Sequence, residues 1–346
     1  MKKERLYQLV ELLFSVVIVV GIYWIGANLR LTEKTIPVQA PVIEHRDQFY
    51  SGVIVGDSVR WVVGKKGKIL RSNDRGLSWL LQKSGVNSSL QSIAAWDSLR
   101  AVIVGNNGLV LVTGDGGKNW KKIQLPGLVQ NIKLLRVRID PRGVAWLVGA
   151  MGTVYASDDA GEAWHRMAVE RDQAWNDIGF PSAGKVWLVG EYGHVAVTEY
   201  KDALGKVAPN WLDVKVPAEH SLMAITFRDA QIGVIAGLDG VLLRTEDAGK
   251  RWERIPLSTT EHIFDVAFGV DSAVGVGTRG LHIKSDRSGV RWLVGRVSNE
   301  DYAWHTSVAI KGDEELISGE TLGQMFHGDW KIAGRKSSDH TVDQGQ

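Results

Sequence analysis

The chain has 346 residues, enough for two ordinary domains or for one large β or α/β domain. Its 41 basic and 39 acidic residues nearly cancel, so charge gives no reason to expect nucleic acid as a partner. The absence of cysteine excludes disulfides, thiolate metal sites, a cysteine nucleophile and the lipid-modified cysteine of a bacterial lipoprotein. Glycine occurs 39 times and proline only 8 times, which indicates many tight turns.

Residues 1–30 are predicted to be a cytoplasmic stub followed by a transmembrane signal anchor. Three basic residues, Lys2, Lys3 and Arg5, precede an apolar run over 12–27, and the run reaches about 20 residues when Leu6, Leu9 and Val10 are included. The basic start predicts a cytoplasmic N-terminus and export of everything after residue 30. A cleaved signal peptide is the alternative. Residues 31–46 are predicted to be a linker.

Five polar turns share the pattern Ser/Thr-x-Asp-x-Gly-x-x-Trp, with one departure. They are "SNDRGLSW" (72–79), "TGDGGKNW" (113–120), "SDDAGEAW" (157–164), "TEDAGKRW" (245–252) and "SDRSGVRW" (285–292). In the last of these, Arg287 occupies the Asp position. Trp211 and Trp330 continue the series with degraded turns, so seven tryptophans 38–47 residues apart mark seven units.

Each unit contains signals for four short strands. Six units have two apolar runs around a Gly-flanked turn, as in "WVVGKKGKIL" and "WLVGEYGHVA", and this predicts a hairpin. One apolar alternation lies upstream of each hairpin and one strand follows the tryptophan. Four strands every 40–45 residues or so are typical of a β-propeller blade. The sequence therefore predicts an all-β, seven-bladed propeller over residues 47–333, followed by a disordered tail over 334–346.

The polar turns are predicted to be structural. Asp and Ser/Thr side chains bond to turn backbone, Gly supplies the positive φ, and Trp packs over the neighbouring blade. The residues assigned to this role are Asp74, Gly76, Trp79, Asp115, Gly117, Trp120, Asp159, Gly161, Trp164, Asp247, Gly249, Trp252, Gly289 and Trp292.

These turns are Asp-box, or BNR, repeats. Seven of them, combined with the "W-x-V-G-x-x-G" hairpin, resemble the photosystem II stability/assembly factor family of seven-bladed propellers, over roughly residues 45–332. The resemblance implies a non-enzymatic assembly factor, without a cofactor or metal, that binds a membrane protein or its exported segment. The expected location is the periplasmic side of a bacterial inner membrane, or alternatively the thylakoid lumen. An accessory factor of the bacterial envelope is equally compatible.

A glycan-binding or sialidase-like propeller is the alternative function. A sialidase needs three arginines meeting at the axis and a Tyr–Glu pair. "ERIP" (253–256) is similar to the sialidase motif, but it follows the fifth Asp-box and is predicted to be the end of a strand. Histidines are scattered and no calcium loop is complete, so no metal site is expected.

A partner-binding surface is predicted where the innermost strands begin, because these starts and the Gly-flanked turns share one face of a propeller. Aromatic and charged loop residues on a rigid scaffold are typical of binding surfaces. Packing that closes the channel is the alternative role for the same rings. The acidic "GDEEL" (312–316) is predicted to be a solvated turn. The candidate binding residues are Tyr50, Trp175, Tyr192, His220, His262, Tyr302, Trp304 and His305.

Overall fold

The computed structural model describes residues 2–28, 41–128, 131–168, 171–200 and 209–334. The chain divides into two compact units, Met1–Ala40 and Pro41–Gln346. The first contains α1 (Lys2–Asn28). The prediction of a transmembrane helix is not supported, because no helix among the described residues combines the length and hydropathy of a membrane span. Residues 31–40 of the predicted linker and 335–346 of the predicted tail lie outside the described residues.

The second unit is the seven-bladed propeller that the repeats predict. Seven antiparallel four-stranded sheets follow one another in chain order. Each sheet consists of four consecutive strands, which we call A to D in chain order, A being the innermost. Blade 1 is β1 (Phe49–Val55), β2 (Val59–Gly64), β3 (Ile69–Ser72) and β4 (Leu80–Gln82); blade 2 is β5 (Leu90–Ala95), β6 (Ala101–Gly105), β7 (Val110–Thr113) and β8 (Lys121–Ile123); blade 3 is β9 (Leu134–Ile139), β10 (Ala145–Gly149), β11 (Val154–Ser157) and β12 (His165–Arg166). Blade 4 is β13 (Trp175–Ser182), β14 (Lys185–Gly190), β15 (Val195–Glu199) and β16 (Leu212–Asp213); blade 5 is β17 (Leu222–Phe227), β18 (Gly233–Gly237), β19 (Leu242–Thr245) and β20 (Glu253–Arg254). Blade 6 is β21 (Ile263–Phe268), β22 (Ser272–Gly277), β23 (Leu281–Asp286) and β24 (Trp292–Arg296); blade 7 is β25 (His305–Lys311), β26 (Glu314–Gly319), β27 (Leu322–Phe326) and β28 (Asp329–Ile332).

The ring closes through blade 7's own strand D, a point that the sequence leaves open. β28 pairs with β27, and blade 7 meets blade 1 through a buried ion pair between Arg60 and Glu314. Arg60 Nε donates to Glu314 Oε1 at 2.6 Å, and Gln324 Nε2 donates to the same oxygen at 2.7 Å. Glu314 and Glu315 belong to the acidic segment predicted to be solvated, but they are 2% and 4% exposed, so that prediction is wrong for both residues.

The core lies between the blades. Each repeat tryptophan packs in the apolar cluster formed by its own blade and the preceding one. Trp164 of blade 3 lies with Val112 of blade 2, and Trp252 of blade 5 contacts Trp187 of blade 4 edge to face with 5.8 Å between ring centroids. Strand D begins one residue after the tryptophan in blades 1 to 5.

The Asp-box side chains form hydrogen bonds to the backbone of their own turns. In blade 1, Gly76 N–H donates to Ser72 Oγ at 2.7 Å and Ser78 N–H donates to Asp74 Oδ1 at 2.9 Å. The same pair of bonds recurs in blades 2, 3 and 5. Hydrogen bonds from Ser78 lower the pKa of Asp74 to about 2. In the irregular blade 6 turn, Asp286 accepts from Ser288 instead.

Candidate functional site

The Gly-flanked turns and the starts of the innermost strands share one end of the propeller, as predicted. Lys65 N–H of the first turn donates to Gln48 O beside β1, and Asn106 N–H donates to Ser89 O beside β5. The Asp-box turns lie at the opposite end, where Arg75 N–H donates to Ser58 O of the A–B turn. We call these two ends the mouth face and the Asp-box face.

The second variable residue of each Gly-flanked turn has a left-handed backbone. Its φ lies between 54° and 60° in six blades, a conformation that costs most residues other than Gly, Asn and Asp roughly 1–2 kcal/mol. The structure tolerates a bulky tyrosine there: Tyr192 has φ 55° and a side chain that is 70% exposed. Backbone strain of this kind is frequent at functional sites. The six residues are Lys66, Asn107, Met151, Tyr192, Asp239 and Arg279.

Two of the predicted binding residues are core residues. Trp175 is 4% exposed and His305 is fully buried. Both occupy the first position of an innermost strand. A β-bulge follows this position in every blade, and the side chain at the position is buried in every blade. The residues at this position are Phe49, Leu90, Leu134, Trp175, Leu222, Ile263 and His305. The packing role, which the sequence left as the alternative, therefore applies to Trp175 and His305.

The next position forms a half-buried collar at the mouth face, and Tyr50 is the member of this collar that is among the candidate binding residues. Its members are Tyr50, Gln91, Leu135, Asn176, Met223, Phe264 and Thr306. Aligning the seven innermost strands by their first residues, six of which are apolar, is the signal that identifies the remainder of this ring. The collar combines four large apolar side chains with three uncharged polar ones.

Aromatic rings cluster where blades 7 and 1 meet. Tyr50 and Trp304 stack with 6.2 Å between ring centroids and 10° between ring planes. Tyr302, two residues earlier in the same loop, is 70% exposed. Thr306 Oγ1 donates to Tyr50 O at 3.0 Å and fixes the strand beside the stacked pair.

A second group of predicted residues meets between blades 5 and 6. His220 Nδ1 lies 3.0 Å from Asp239 Oδ2, and Asp239 N–H donates to His262 Nδ1 at 3.0 Å. The latter bond assigns the hydrogen of a neutral His262 to Nε2. Among the described residues no group of three or more His, Asp and Glu is arranged to hold a metal ion.

Charged side chains of both signs lie on the mouth face. Arg296 donates to Glu261 through both terminal nitrogens, at 2.5 and 3.1 Å, and Arg279 Nε lies 3.7 Å from the same carboxylate. Glu261 therefore holds two arginines beside the blade 6 turn. The mouth face thus offers exposed aromatic rings, a collar of apolar and uncharged polar side chains, and paired charges, which suit a polypeptide of mixed polarity.

The axis itself carries a buried ion cluster. Arg138 of β9 donates to both oxygens of Asp177 of β13, at 2.7 Å each. Arg136 Nε lies 3.3 Å from Asp177 Oδ1, and Asp265 of β21 lies 3.5 Å from Arg138. Burial alone would lower the pKa of Arg138, but the negative charges of Asp177 and Asp265 outweigh it and raise that pKa. Among the described residues that line the axial cavity, two arginines occur, both beside aspartates. They do not form the triad of a sialidase.

Comparisons with known proteins agree with this architecture. The family model described as "Photosynthesis system II assembly factor YCF48" matches residues 44–174 and 162–261. A photosystem II assembly lipoprotein Ycf48 of Synechococcus sp. (strain CC9902) is 25% identical over 64% of this chain and 66% of its own length. The Ycf48 lipoprotein of Nostoc sp. (strain PCC 7120) is 30% identical over 51% of this chain and 52% of its own length. The chain thus spans about half to two thirds of these curated relatives.

Two solved structures share the fold. A structure titled "YCF48 bound to D1 peptide" has a TM-score of 0.64 and 18% identity, and the match covers 79% of this chain and 91% of that chain. Ycf48 from Cyanidioschyzon merolae has a TM-score of 0.65 and 17% identity over 82% of this chain and 97% of that chain. Because the family model matches well over half of the sequence, the chain belongs to the Ycf48 family of photosystem II assembly factors.

Proposed function

We propose that this protein is a non-enzymatic assembly or accessory factor whose mouth face binds an exported segment of a membrane-protein partner. The observation that carries the proposal is the stacked pair of Tyr50 and Trp304 beside the exposed Tyr302. Aromatic anchors of this kind contribute strongly to protein interfaces. The relatives named above are assembly factors, and one structure of the family holds a D1 peptide. D1 is therefore the first candidate partner in a photosynthetic host.

The mouth face is a better docking surface than the Asp-box face for a physical reason. In the Asp-box turns, the Ser/Thr and Asp side chains accept hydrogen bonds from the backbone of their own turn, as in the turn of Asp74. At the mouth face, the left-handed residues of the Gly-flanked turns have no such role, and side chains as different as Tyr192 and Arg279 occupy equivalent positions. Different side chains on equivalent turns suit recognition of one particular partner.

The test is affinity purification of the full-length protein from gently solubilised membranes of its host, followed by mass spectrometry. We expect one stoichiometric membrane protein, and we expect the Tyr302→Ala/Trp304→Ala variant to lose it with at least a ten-fold drop in affinity. The matched control is Leu77→Ala/Leu293→Ala, which removes two exposed apolar side chains from an Asp-box turn and a strand D. Equal recovery of the partner by both variants contradicts the proposal.

Purification of the protein without a partner would favour the glycan-binding alternative, which a glycan array tests. Location on the exported side of a membrane is also part of the proposal. Carbonate extraction and protease accessibility of the propeller in intact spheroplasts measure it directly. Complete protection of the propeller from added protease would contradict a periplasmic location.

A further inference from the structure

A cavity of about 430 Å³ lies on the propeller axis, away from the mouth face. It is lined by the third to sixth residues of the innermost strands, from the level of Ser51 to that of Phe180, and by none of the first two. These strands run from the mouth face toward the A–B turns, so the cavity belongs to the Asp-box end. Its volume falls within the range of about 300–1,000 Å³ that is typical of small-molecule sites.

One wall of the cavity is aromatic. Phe180, Phe227 and Phe268 are the sixth residues of the innermost strands of blades 4, 5 and 6, and all three line the cavity. Ile139 and Ile310 continue the apolar lining on blades 3 and 7. Each of these side chains is half-buried, so it also presents surface that the blades do not cover.

Arg136 lies at the polar end of the cavity and has no hydrogen bond to a described residue. Its side chain is only 11% exposed, and its Nε, which lies 3.3 Å from Asp177 Oδ1, is buried and makes no hydrogen bond among the described residues. Asp177 does not satisfy it, because that carboxylate binds Arg138 through both oxygens and also accepts from Ile225 N–H at 3.0 Å. A guanidinium carries five donors in a planar fork, and buried donors are rarely left unpaired.

Asp265 does not satisfy Arg136 either. Its two oxygens accept backbone N–H groups, Val266 and Val308, at 3.0 Å each. Its Oδ1 lies 3.8 Å from Arg136 Nη2, beyond hydrogen-bond distance. Burial raises the pKa of Asp265, and the two arginines offset only part of that effect. Asp265 therefore makes no hydrogen bond to Arg136, and no described residue accepts one from the two terminal nitrogens of the Arg136 guanidinium.

We propose that the axial cavity binds a small carboxylate with an apolar body. The carboxylate accepts from the two terminal nitrogens of Arg136, and the apolar body lies against the wall formed by Phe180, Phe227 and Phe268. A bidentate arginine–carboxylate pair provides orientation, and the aromatic wall provides most of the buried apolar area. The same chemistry is offered by a free aryl or alkyl acid and by the C-terminal carboxylate of a peptide ending in an apolar residue. This site is separate from the mouth face and does not depend on the proposed docking function.

The test is isothermal titration of the full-length protein with phenylacetate and with its neutral isostere phenylacetamide. We expect 1:1 binding of phenylacetate with a Kd of about 1 mM or tighter, and at least ten-fold weaker binding of the amide. Arg136→Gln should weaken phenylacetate binding at least ten-fold. Arg251→Gln, at an exposed arginine on the turn of blade 5, should leave it unchanged.

Two further arms complete the design. Arg136→Lys keeps the charge but loses the fork, so it should also weaken binding, and it serves where Arg136→Gln fails to fold. The tripeptide Ala-Ala-Phe, as free acid and as amide, identifies the source: preference for the peptide acid assigns a polypeptide C-terminus, and preference for phenylacetate assigns a free acid. The proposal is overturned if acid and amide bind equally, if Arg136→Gln binds as well as wild type, or if no carboxylate binds at millimolar concentration.

Discussion

The ion pair that closes the ring gives the sharpest test of the fold's energetics. Arg60 and Glu314 are separated by 254 residues in sequence, and their side chains are 1% and 2% exposed. Replacing Glu314 by Leu leaves the Arg60 charge buried without its partner. The expected loss in the free energy of unfolding is about 3–5 kcal/mol. That loss is a large part of the 5–15 kcal/mol or so that holds an ordinary domain together.

The double variant Arg60→Met/Glu314→Leu removes both charges and should cost far less than the single variant, because no ion then remains desolvated. Urea denaturation followed by tryptophan fluorescence measures both, provided that the m-value is unchanged. The control is Glu162→Gln, which breaks the exposed pair with Lys121 and should cost less than about 1 kcal/mol. The reasoning is refuted if Glu314→Leu costs as little as this control, or if the double variant costs the sum of the two single ones.

Two further stability predictions rest on the Asp-box turns. Gly249→Ala should lower the free energy of unfolding by about 2–5 kcal/mol, because φ is 84° and the new Cβ would lie 2.3 Å from Trp187 Cζ2. Gly56→Ala, where φ is 55° and the surrounding space is open, should cost only about 1–2 kcal/mol. Thermal unfolding compares the two variants, and equal costs would contradict the packing argument. Asp74→Ala should cost about 1–2 kcal/mol at pH 7 because it removes the hydrogen bonds from Ser78. The pKa of Asp74 is lowered to about 2 in the folded protein, so the stabilisation by the Asp74 carboxylate is complete above its unfolded pKa near 4 and is lost as pH falls toward 2. The free energies of unfolding of wild type and variant, measured with urea, should therefore converge between pH 4 and pH 2 or so. A difference that stays constant over this interval would be evidence against the linkage.

The fold was predictable because its unit repeats. Glycine must supply positive φ in the Asp-box turn, and the tryptophan that follows must find apolar surface, so each copy of the motif reports the same local geometry. In the irregular turn with Arg287 at the Asp position, Asp286 accepts a hydrogen bond from Ser288 N–H instead. The sequence pattern alone does not reveal this substitute bond. The repeat also predicted which face carries the Gly-flanked turns.

The binding residues were harder to predict, because burial in a propeller depends on register within the innermost strand. Trp175 and His305 are core residues because they occupy the same position as Phe49 and Leu90, whereas Tyr50 lies one residue later and is half-buried. A single strand read alone does not distinguish these positions. Only the alignment of all seven strands does so.

Long-range charge pairing was beyond the sequence analysis. Glu314 resembles a solvated turn residue until its partner 254 positions away is known. The axial cluster is similar: Arg136, Asp177 and Asp265 belong to three different blades and meet only after the ring has closed. Local periodicity carries no information about such contacts.

The central claim is that the mouth face binds a membrane-protein partner, and site-specific photo-crosslinking tests it most directly. A photoreactive residue would replace Tyr192 on the mouth face or Leu77 on the Asp-box face, both of which are strongly exposed. The account predicts that the variant at position 192 crosslinks to one membrane protein in intact membranes and that the variant at position 77 does not. Crosslinking of that protein from position 77 alone would contradict the claim.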